Sequence, residues 1–460
     1  MHTKSVAAAL LSLCALSAML IGTRLQASDT AVTVPKLPLQ DTRLSNGLHV
    51  ILAPDHSAPV FAINVSYNVG SRNERPGHTG FAHLFEHMMF QGSENVGKGE
   101  QFLLVLNNGG GMNGNTTEDR TVYFEELPKN QLDLGLFLES DRMRSLAITQ
   151  ANLDNQRAVV QEERRQSYDN QPYAHSYLDI DGLSFDNFAY KHSTIGSMTD
   201  LNGASLQEVT DFFKTYYAPD NAVLVLVGDF DPAEAMTKVQ KYFDSIPSQP
   251  APPKVDLSEE DHYGERRETI YDSLARQPQL IESYRIAPGD TPENYDMQML
   301  ATILSDGQSS RFYQHLVKEK QLAVNVSAEP DARIGPSLFY IVGTPRPGVK
   351  MEDFEKGIND EIAAVIKDGV TPEELAKARA QTLRRFIEER RSALNTANEI
   401  GEDAVLYNDA DLINTEADKE AAVTVDRIHD AAKKYFAVDQ RAVVITYPAP
   451  KNGAAAGGAQ

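Results

Sequence analysis

The sequence predicts an α+β protein built from two copies of one domain. Patterns typical of helices and of strands are mixed along the chain, without the regular βαβ alternation of a doubly wound sheet. Around Tyr217 a helix end, an aromatic residue, a turn with Asp and a β-branched strand follow one another, and the same order recurs around Phe436. The two segments lie 219 residues apart in a chain of 460. A repeat of this period predicts two homologous domains.

The local patterns predict the main elements of both halves. Asn46-Gly47 predicts a turn that enters a strand ending near Leu52, and a second strand is expected from Val60 to Val69. Helical periodicity covers residues 79–90, 98–108, 128–145 and 150–167. In the second half, strands are expected near 279–286, 322–330 and 337–344. A long helix is expected after Thr371, which starts a capping box with Pro at the first helical position.

The composition along the chain predicts where the domains begin and end. A stretch rich in Pro, Ser and acidic residues separates the two halves and is typical of an inter-domain linker. The Gly/Ala-rich end of the chain predicts disorder. The expected divisions are a signal peptide at 1–27, an N-terminal domain at 38–245, a linker at 246–262, a C-terminal domain at 263–450 and a tail at 451–460.

The N-terminal segment has the order of a secretory signal peptide. Lys4 precedes an apolar run from Val6 to Ile21, and the small residue Ala27 follows at the expected cleavage site. The alternative is an uncleaved membrane anchor, for which a run of 16 residues is short. We therefore expect a periplasmic or secreted protein without a stable membrane span after cleavage.

Two features of the composition restrict the chemistry. The only cysteine, Cys14, lies in the signal segment, so any metal site in the mature chain must use histidines and carboxylates. The formal net charge of −22 argues against nucleic-acid binding, which requires a basic surface. The acidic surface favours either basic peptide substrates or solubility alone.

The segment from His83 to His87 is the strongest candidate for a catalytic site. Residues four apart lie on one face of a helix, so both imidazoles can point at one ion. Glu86 flanks the same face, which gives the His-x-x-Glu-His arrangement of inverted zinc peptidases. Two histidines and a carboxylate form a catalytic zinc set, and Glu86 can activate the water that zinc binds. The alternative is a helix with two incidental histidines.

A third ligand is expected from the helix that follows residue 150. Glu163 lies four residues after Val159 and three after Val160, so it falls on the apolar stripe of this helix. Glu162 is rotated by about 100° from that stripe and belongs to a surface run of charges. A carboxylate on a buried stripe needs a partner, and a metal ion is a suitable one. We therefore predict that Glu163 completes the zinc site.

These motifs resemble the pitrilysin family of zinc peptidases, in its mitochondrial-processing-peptidase-like branch. The resemblance rests on His83 to His87 followed by Glu163 after 75 residues, and it extends over about residues 40–450. Segments around 70–74, 80–92, 110–113 and 116–123 also match. It implies two α/β-roll domains, each an antiparallel sheet covered by helices, and a zinc endopeptidase that cleaves short or unfolded peptides. The peptide would pair with an edge strand near Asn113 and Thr116.

Three positions depart from the family pattern. Gln156 replaces a glutamate that usually precedes the third ligand by seven residues, which affects the surroundings of the metal. Val317 and Val324 stand where complete enzymes of the family have an Arg and a Tyr that stabilise the oxyanion. The resemblance therefore implies a zinc-binding subunit that works with a homologous partner carrying the Arg/Tyr pair.

Two other interpretations remain open. The chain could be a non-enzymatic assembly or binding subunit of the same fold, which would predict loss of the metal motif. It could also be a homodimeric peptidase that uses another donor in place of the missing pair.

Overall fold

The computed structural model describes residues 34–260 and 264–450. The expected signal peptide and tail, together with 261–263 of the expected linker, lie outside the described residues. The chain divides into two units, Met1–Lys36 and Leu37–Gln460, and every element below belongs to the second. No helix of the described part is both long and apolar enough to cross a membrane.

Eleven strands of the described part form two sheets. The first sheet has six strands in the order β1-β2-β6-β3-β5-β4, and the second has five in the order β7-β11-β8-β10-β9. The strands are β1 Gln40–Arg43, β2 His49–Pro54, β3 Val60–Tyr67, β4 Gly111–Thr116, β5 Thr121–Pro128, β6 Ala222–Gly228, β7 Arg266–Asp272, β8 Gln279–Ile286, β9 Ala323–Asp331, β10 Ser337–Pro345 and β11 Arg441–Pro448.

The two sheets have the same topology, which confirms the predicted duplication of the fold. In each sheet the last strand of the half lies between an outer parallel neighbour and an antiparallel one: β6 pairs with β2 and β3, and β11 pairs with β7 and β8. The remaining pairs are antiparallel. The expected antiparallel sheets therefore each contain one parallel pair, formed where the last strand of a half lies beside β2 in the first sheet and beside β7 in the second.

Helices cover these sheets, as expected for an α+β fold. They are α1 Phe81–Met88, α2 Glu100–Asn107, α3 Leu132–Ser145, α4 Gln150–Arg164, α5 Ala174–Ser184, α6 Phe188–Lys191, α7 Met198–Gly203, α8 Leu206–Tyr216, α9 Pro232–Phe243, α10 Pro292–Ser305, α11 Met351–Asp368, α12 Pro372–Glu389, α13 Ala393–Leu406, α14 Glu416–Ala421 and α15 Val425–Tyr435. The predicted capping box opens α12, because the Thr371 hydroxyl accepts from the Glu374 N–H and the Glu374 carboxylate accepts from the Thr371 N–H. The other predicted elements agree within a few residues of each end.

One helix of each half packs against the sheet of the other half. Helix α13, from the C-terminal half, packs Ala397 and Ile400 against Ile51 and Val225 of the first sheet. Helix α5, from the N-terminal half, packs Ile180 against the second sheet. The opposite face of each sheet is covered by a larger core of its own half. Because burial of apolar area is the main stabilising term, this exchange holds the two halves together.

The stretch between the halves is anchored to the folded chain. Residues 247–260 contain no helix or strand. Nevertheless, Glu259 accepts a hydrogen bond of 2.6 Å from Arg285 and one of 2.8 Å from the N–H of Asn187. The Asn187 amide in turn donates to the carbonyls of Asp256 and Ser258. This Pro-rich stretch is therefore held against the folded chain by hydrogen bonds near its end.

Candidate metal centre

Helix α1 carries the two histidines, and its start is fixed by Gly80 and Glu74. Gly80 has a left-handed conformation, with φ of 86°, and a Cβ there would lie 2.8 Å from the carbonyl oxygen of Ile195. Glu74 accepts hydrogen bonds from the N–H groups of Gly80, at 2.9 Å, and Ala82, at 2.7 Å. These N–H groups have no partner within the helix, so the buried carboxylate acts as the N-terminal cap.

His83 and His87 share the face of α1 that is turned away from the core. The opposite side of the helix buries Phe81, Leu84 and Phe85. The two imidazole rings lie 4.8 Å apart between centroids and remain 13% and 20% exposed. The predicted spacing thus places two accessible imidazoles side by side, as one ion would require.

Glu163, near the end of α4, faces both histidines. Its Oε1 lies 3.6 Å from Nε2 of His83, and its Oε2 lies 3.2 Å from Nε2 of His87. Ligands at 2.0–2.2 Å from a tetrahedral zinc ion are separated by about 3.3–3.6 Å. The three side chains therefore have the donor chemistry and the spacing of a zinc site, and among the residues described they form the single His/Asp/Glu group of this kind.

The protonation states also suit metal binding. Burial, and then the neighbouring charge of His87, lowers the pKa of His83 to about 4, so its imidazole is neutral at physiological pH. A hydrogen bond from His87 lowers the pKa of Glu163 and favours its carboxylate form. A neutral imidazole and an ionised carboxylate are the forms that ligate metals.

Glu86 is buried beside this group and is held by the first sheet. Its Oε2 accepts a hydrogen bond of 2.5 Å from the hydroxyl of Thr116, at the end of β4. Burial raises the pKa of Glu86, while the Thr116 hydroxyl and the nearby His87 oppose the rise. A carboxylate with a raised pKa beside a metal site can accept and return a proton, which is the requirement for a general base.

Strand β4 is the edge of the first sheet and forms one wall of the site. Asn113 is exposed on this edge, whereas Thr116 is 9% exposed and points its hydroxyl at Glu86. Both residues line a cavity of about 400 Å³ that also contains the three candidate ligands. Asn113 is therefore accessible from the open edge of the sheet, whereas the Thr116 side chain donates a hydrogen bond to Glu86.

The same cavity contains three residues that sequence reasoning missed: Tyr168, Thr194 and Ile195. Tyr168 follows α4 in a π-helical stretch, Arg165–Asp169, that turns its ring back towards the site. The loop with Thr194 and Ile195 reaches the site because it packs against Gly80. The sequence gives no signal for either approach, since neither residue belongs to a periodic or spaced pattern.

The structure shows the contacts and exposure of the three residues that depart from the family pattern, Gln156, Val317 and Val324. Gln156 is buried and donates to the side chain of Asn155 at 2.8 Å. Val317 packs against the second core, and Val324, on the edge strand β9, is 47% exposed. Neither valine side chain can donate a hydrogen bond.

An arginine does lie close to these valines, and two of its five N–H groups donate to the main chain. Arg346 donates from Nη2 to the carbonyl of Val317, at 2.8 Å, and from Nε to the carbonyl of Ala323, at 3.1 Å. Its guanidinium thus fixes the backbone that connects the two positions.

Two family profiles match consecutive parts of the chain. The profile described as insulinase (peptidase family M16) matches residues 49–194, and the one described as peptidase M16 inactive domain matches residues 203–382. The chain belongs to peptidase family M16. All three candidate ligands and Glu86 lie within the part that matches the insulinase profile.

Relatives of the M16 chain carry names that agree with a peptidase. It is 27% identical over 412 residues to the zinc protease PqqE of Helicobacter pylori, which covers 89% of this chain and 93% of the relative. It is 26% identical over 216 residues to the mitochondrial-processing peptidase subunit beta of Blastocladiella emersonii, covering 47% and 46% of the two chains.

Solved M16 structures have the same fold. A protease from Helicobacter pylori superposes with a TM-score of 0.86 at 27% identity and covers 90% of this chain and all of that one. A peptidase M16 inactive domain from Pseudomonas fluorescens gives a TM-score of 0.80 at 18% identity, covering 90% and 99% of the two chains. At that lower identity the likeness shows the fold alone.

Proposed function

We propose that this chain is a zinc-dependent endopeptidase, with zinc held by His83, His87 and Glu163 and with Glu86 as the general base. One observation carries the proposal: His83, His87 and Glu163 each bring a ligand atom within 4.8 Å of the others, beside the buried carboxylate of Glu86. The two carboxylate oxygens of Glu163 lie 3.6 Å and 3.2 Å from Nε2 of His83 and His87, close to the separation of ligands around one tetrahedral ion. Zinc would supply Lewis acidity and would lower the pKa of a coordinated water to about 7.

The residues of the chain perform the proton transfers. Glu86 accepts a proton from the attacking water, and the raised pKa of the carboxyl allows it to return that proton to the leaving amine. The Thr116 hydroxyl orients the Glu86 carboxylate towards the site during both transfers. His83 remains neutral, so its imidazole can bind a metal cation instead of repelling it.

The substrate is proposed to be a peptide that adds a strand to β4. This strand pairs with β5 on one side and is the outer strand of its sheet in the described structure. An extended peptide can satisfy the open edge through backbone hydrogen bonds, so that its carbonyl passes Asn113 and reaches the metal site. Backbone pairing favours short or unfolded peptides, because a folded chain cannot present an extended strand.

A homologous partner is proposed to complete the oxyanion site. Val317 and Val324 offer no donor, and Arg346 donates to main-chain carbonyls. A second chain with an Arg/Tyr pair would supply what is missing, and one relative of this chain is named as a subunit. The same reasoning supports the mitochondrial-processing-peptidase-like branch as the proposed placement within the family. Tyr168, which lines the site, is the competing donor if the isolated chain is active.

The proposed location is the periplasm or the outside of the cell. The N-terminal pattern of Lys4, an apolar run and Ala27 supports export. One structure of the same fold is named as the periplasmic protease PqqL from Escherichia coli. We also propose the domain limits 38–245 and 263–450, which enclose the two sheets.

The test uses purified full-length chain and the Glu86→Gln variant. Elemental analysis should find one zinc per chain in both proteins, and only the unchanged protein, mixed with its partner, should cleave an internally quenched peptide in a chelator-sensitive manner. Loss of the general base should reduce turnover by at least about 100-fold. Absence of zinc from the unchanged protein would favour the non-enzymatic subunit, for which the match of residues 203–382 to an inactive domain is the supporting observation.

A further inference from the structure

A second cavity lies in the C-terminal half, among helices α10, α12, α13 and α14. Its volume is about 510 Å³, and it shares no lining residue with the metal centre. Seven carboxylic acids line it against a single basic residue, Arg385. The seven are Asp290, Glu389, Glu399, Glu402, Asp403, Glu416 and Glu420. A concentration of like charge on this scale is costly in a partly enclosed space.

The chain itself offsets only part of this charge. Lys419 pairs with Asp290, and Arg120 pairs with Glu402 at 2.6 Å. Within the cavity, the side chains of Glu399 and Glu416 lie within hydrogen-bonding distance of each other. Burial followed by this repulsion raises the pKa of Glu399 to about 8 and that of Glu420 to about 7. Arg390 and Arg385 oppose these rises only in part, so a ligand that carries positive charge would be stabilised in the cavity.

Asp403 gives an independent indication of a ligand. It lines the cavity but is only 8% exposed, and its Oδ2 has no hydrogen-bond donor among the described residues. A buried carboxylate oxygen without a donor costs about 1–3 kcal/mol, and more when it is charged. A donor from a ligand in the cavity would satisfy this oxygen. An ammonium or guanidinium group is a donor that also balances the charge.

The surroundings favour an organic cation over a metal ion. Among the described residues, the carboxylates of this cavity do not converge closely enough to form a three-ligand group, whereas His83, His87 and Glu163 do. Three aromatic rings also line the cavity, and among the described residues Lys419 and Arg390 already lie over those of Tyr295 and Phe386, whereas the third is Tyr407. Aromatic faces attract organic cations, and the volume lies in the range of small-molecule sites.

We propose that this cavity binds an organic cation through ammonium or guanidinium groups, with Asp403 as the buried anchor and Glu399 and Glu416 as flanking acceptors. The cation comes either from a free linear polyamine or from a basic side chain of a peptide. Both sources offer several N–H donors on an apolar stem that fits beside the rings. The proposal is independent of the peptidase assignment, because binding can be measured without turnover.

Isothermal titration of the full-length chain tests the proposal at low ionic strength. The probes are spermidine and the blocked dipeptide acetyl-Lys-Lys-amide, with NaCl and MgCl₂ at matched ionic strength for comparison. We expect one of the two organic cations to bind with a Kd below about 1 mM, an affinity ordinary for a small charged ligand. Tighter binding of spermidine identifies a free polyamine as the source, and tighter binding of the dipeptide identifies a basic side chain.

Matched variants locate the binding. Asp403→Asn should weaken it at least tenfold, since it removes the carboxyl group that can ionise beside a cation but keeps the side-chain shape. Asp368→Asn, on an exposed carboxylate at the end of α11, should leave the affinity unchanged. If Asp403→Asn fails to fold, Glu416→Gln serves with the same expectation. The proposal would be overturned if the cavity variant bound as tightly as the control. It would also be overturned if neither organic probe bound, or if millimolar Mg²⁺ displaced both probes.

Discussion

The hydroxyl of Thr116 donates a hydrogen bond of 2.5 Å to Oε2 of Glu86, joining the edge strand β4 to helix α1. The sequence predicted Thr116 as a substrate contact, whereas its side chain contacts the proposed general base. The bond favours the charged carboxylate and opposes the rise in pKa that burial causes. The outer edge of strand β4 is therefore unpaired in the described structure, and its last residue donates a hydrogen bond to Glu86.

Thr116→Val should reduce peptidase activity while leaving zinc in place. A hydrogen bond to a charged group contributes about 1.5–3 kcal/mol, so we expect kcat/KM at neutral pH to fall about 10- to 100-fold. Removing the donor raises the pKa of Glu86 further, and the acidic limb of the pH profile should move to higher pH. Thr116→Ser keeps the hydroxyl and should restore both values. An unchanged pH profile in Thr116→Val would show that this bond does not tune the base.

Glu163→Gln should weaken zinc binding, and the adjacent Glu162 offers a matched control. Glu163 faces Nε2 of both histidines, whereas Glu162 is exposed and bonds to Arg165 and Gln166 on the surface. Loss of supporting contacts around a metal typically costs 10- to 100-fold in affinity, so loss of a ligand should cost at least about 100-fold. Competition with a fluorescent zinc chelator measures both variants. Glu162→Gln should match the unchanged protein, and a similar loss in the two variants would contradict the assignment of Glu163.

The elements of the site that could be predicted from sequence are those set by spacing along one helix. The interval of four between His83 and His87 fixes a shared face whatever surrounds it. Glu163 follows the buried Val160 by three residues as predicted, but Val159, which was expected on the same stripe, is 42% exposed. The contact between Thr116 and Glu86 spans 30 residues and depends on how β4 docks beside α1, which no local pattern encodes. Tyr168 enters the cavity through a π-helical turn that the periodicity of α4 does not indicate.

The same distinction applies to the fold. The repeated segments before β6 and β11 predicted the duplication, and Thr371 predicted the start of α12, because both signals are local. The exchange of α5 and α13 between the halves was not predicted. An amphipathic helix shows that one face is buried, but its sequence does not identify the sheet that buries it.

Ile400→Ala should test the contribution of the exchanged helix α13 to stability. Ile400 is fully buried against the first sheet, and truncation of such a residue to alanine costs about 2–5 kcal/mol. Ile387→Ala, at a position 38% exposed on α12, provides a control that should change stability by less than about 0.5 kcal/mol. Urea unfolding followed by circular dichroism measures both. Equal stability of the two variants would mean that α13 is dispensable for holding the first sheet.

The acidic cavity should make the protein less stable as the pH rises. Burial, followed by the neighbouring Glu416, raises the pKa of Glu399 to about 8 in the folded chain, whereas an exposed glutamate in the unfolded chain titrates near 4.3. Between these values the folded state holds a proton that the unfolded state has lost, so the free energy of unfolding falls with increasing pH. Glu399→Gln cannot ionise and should flatten this dependence, which urea unfolding at pH 5.5, 7 and 8.5 will measure. Glu388→Gln, at an exposed carboxylate of α12, should keep the slope of the unchanged protein. If Glu399→Gln keeps the same dependence of the free energy of unfolding on pH, the proton is bound by another group. Removing the group that binds the proton must remove its contribution to that dependence.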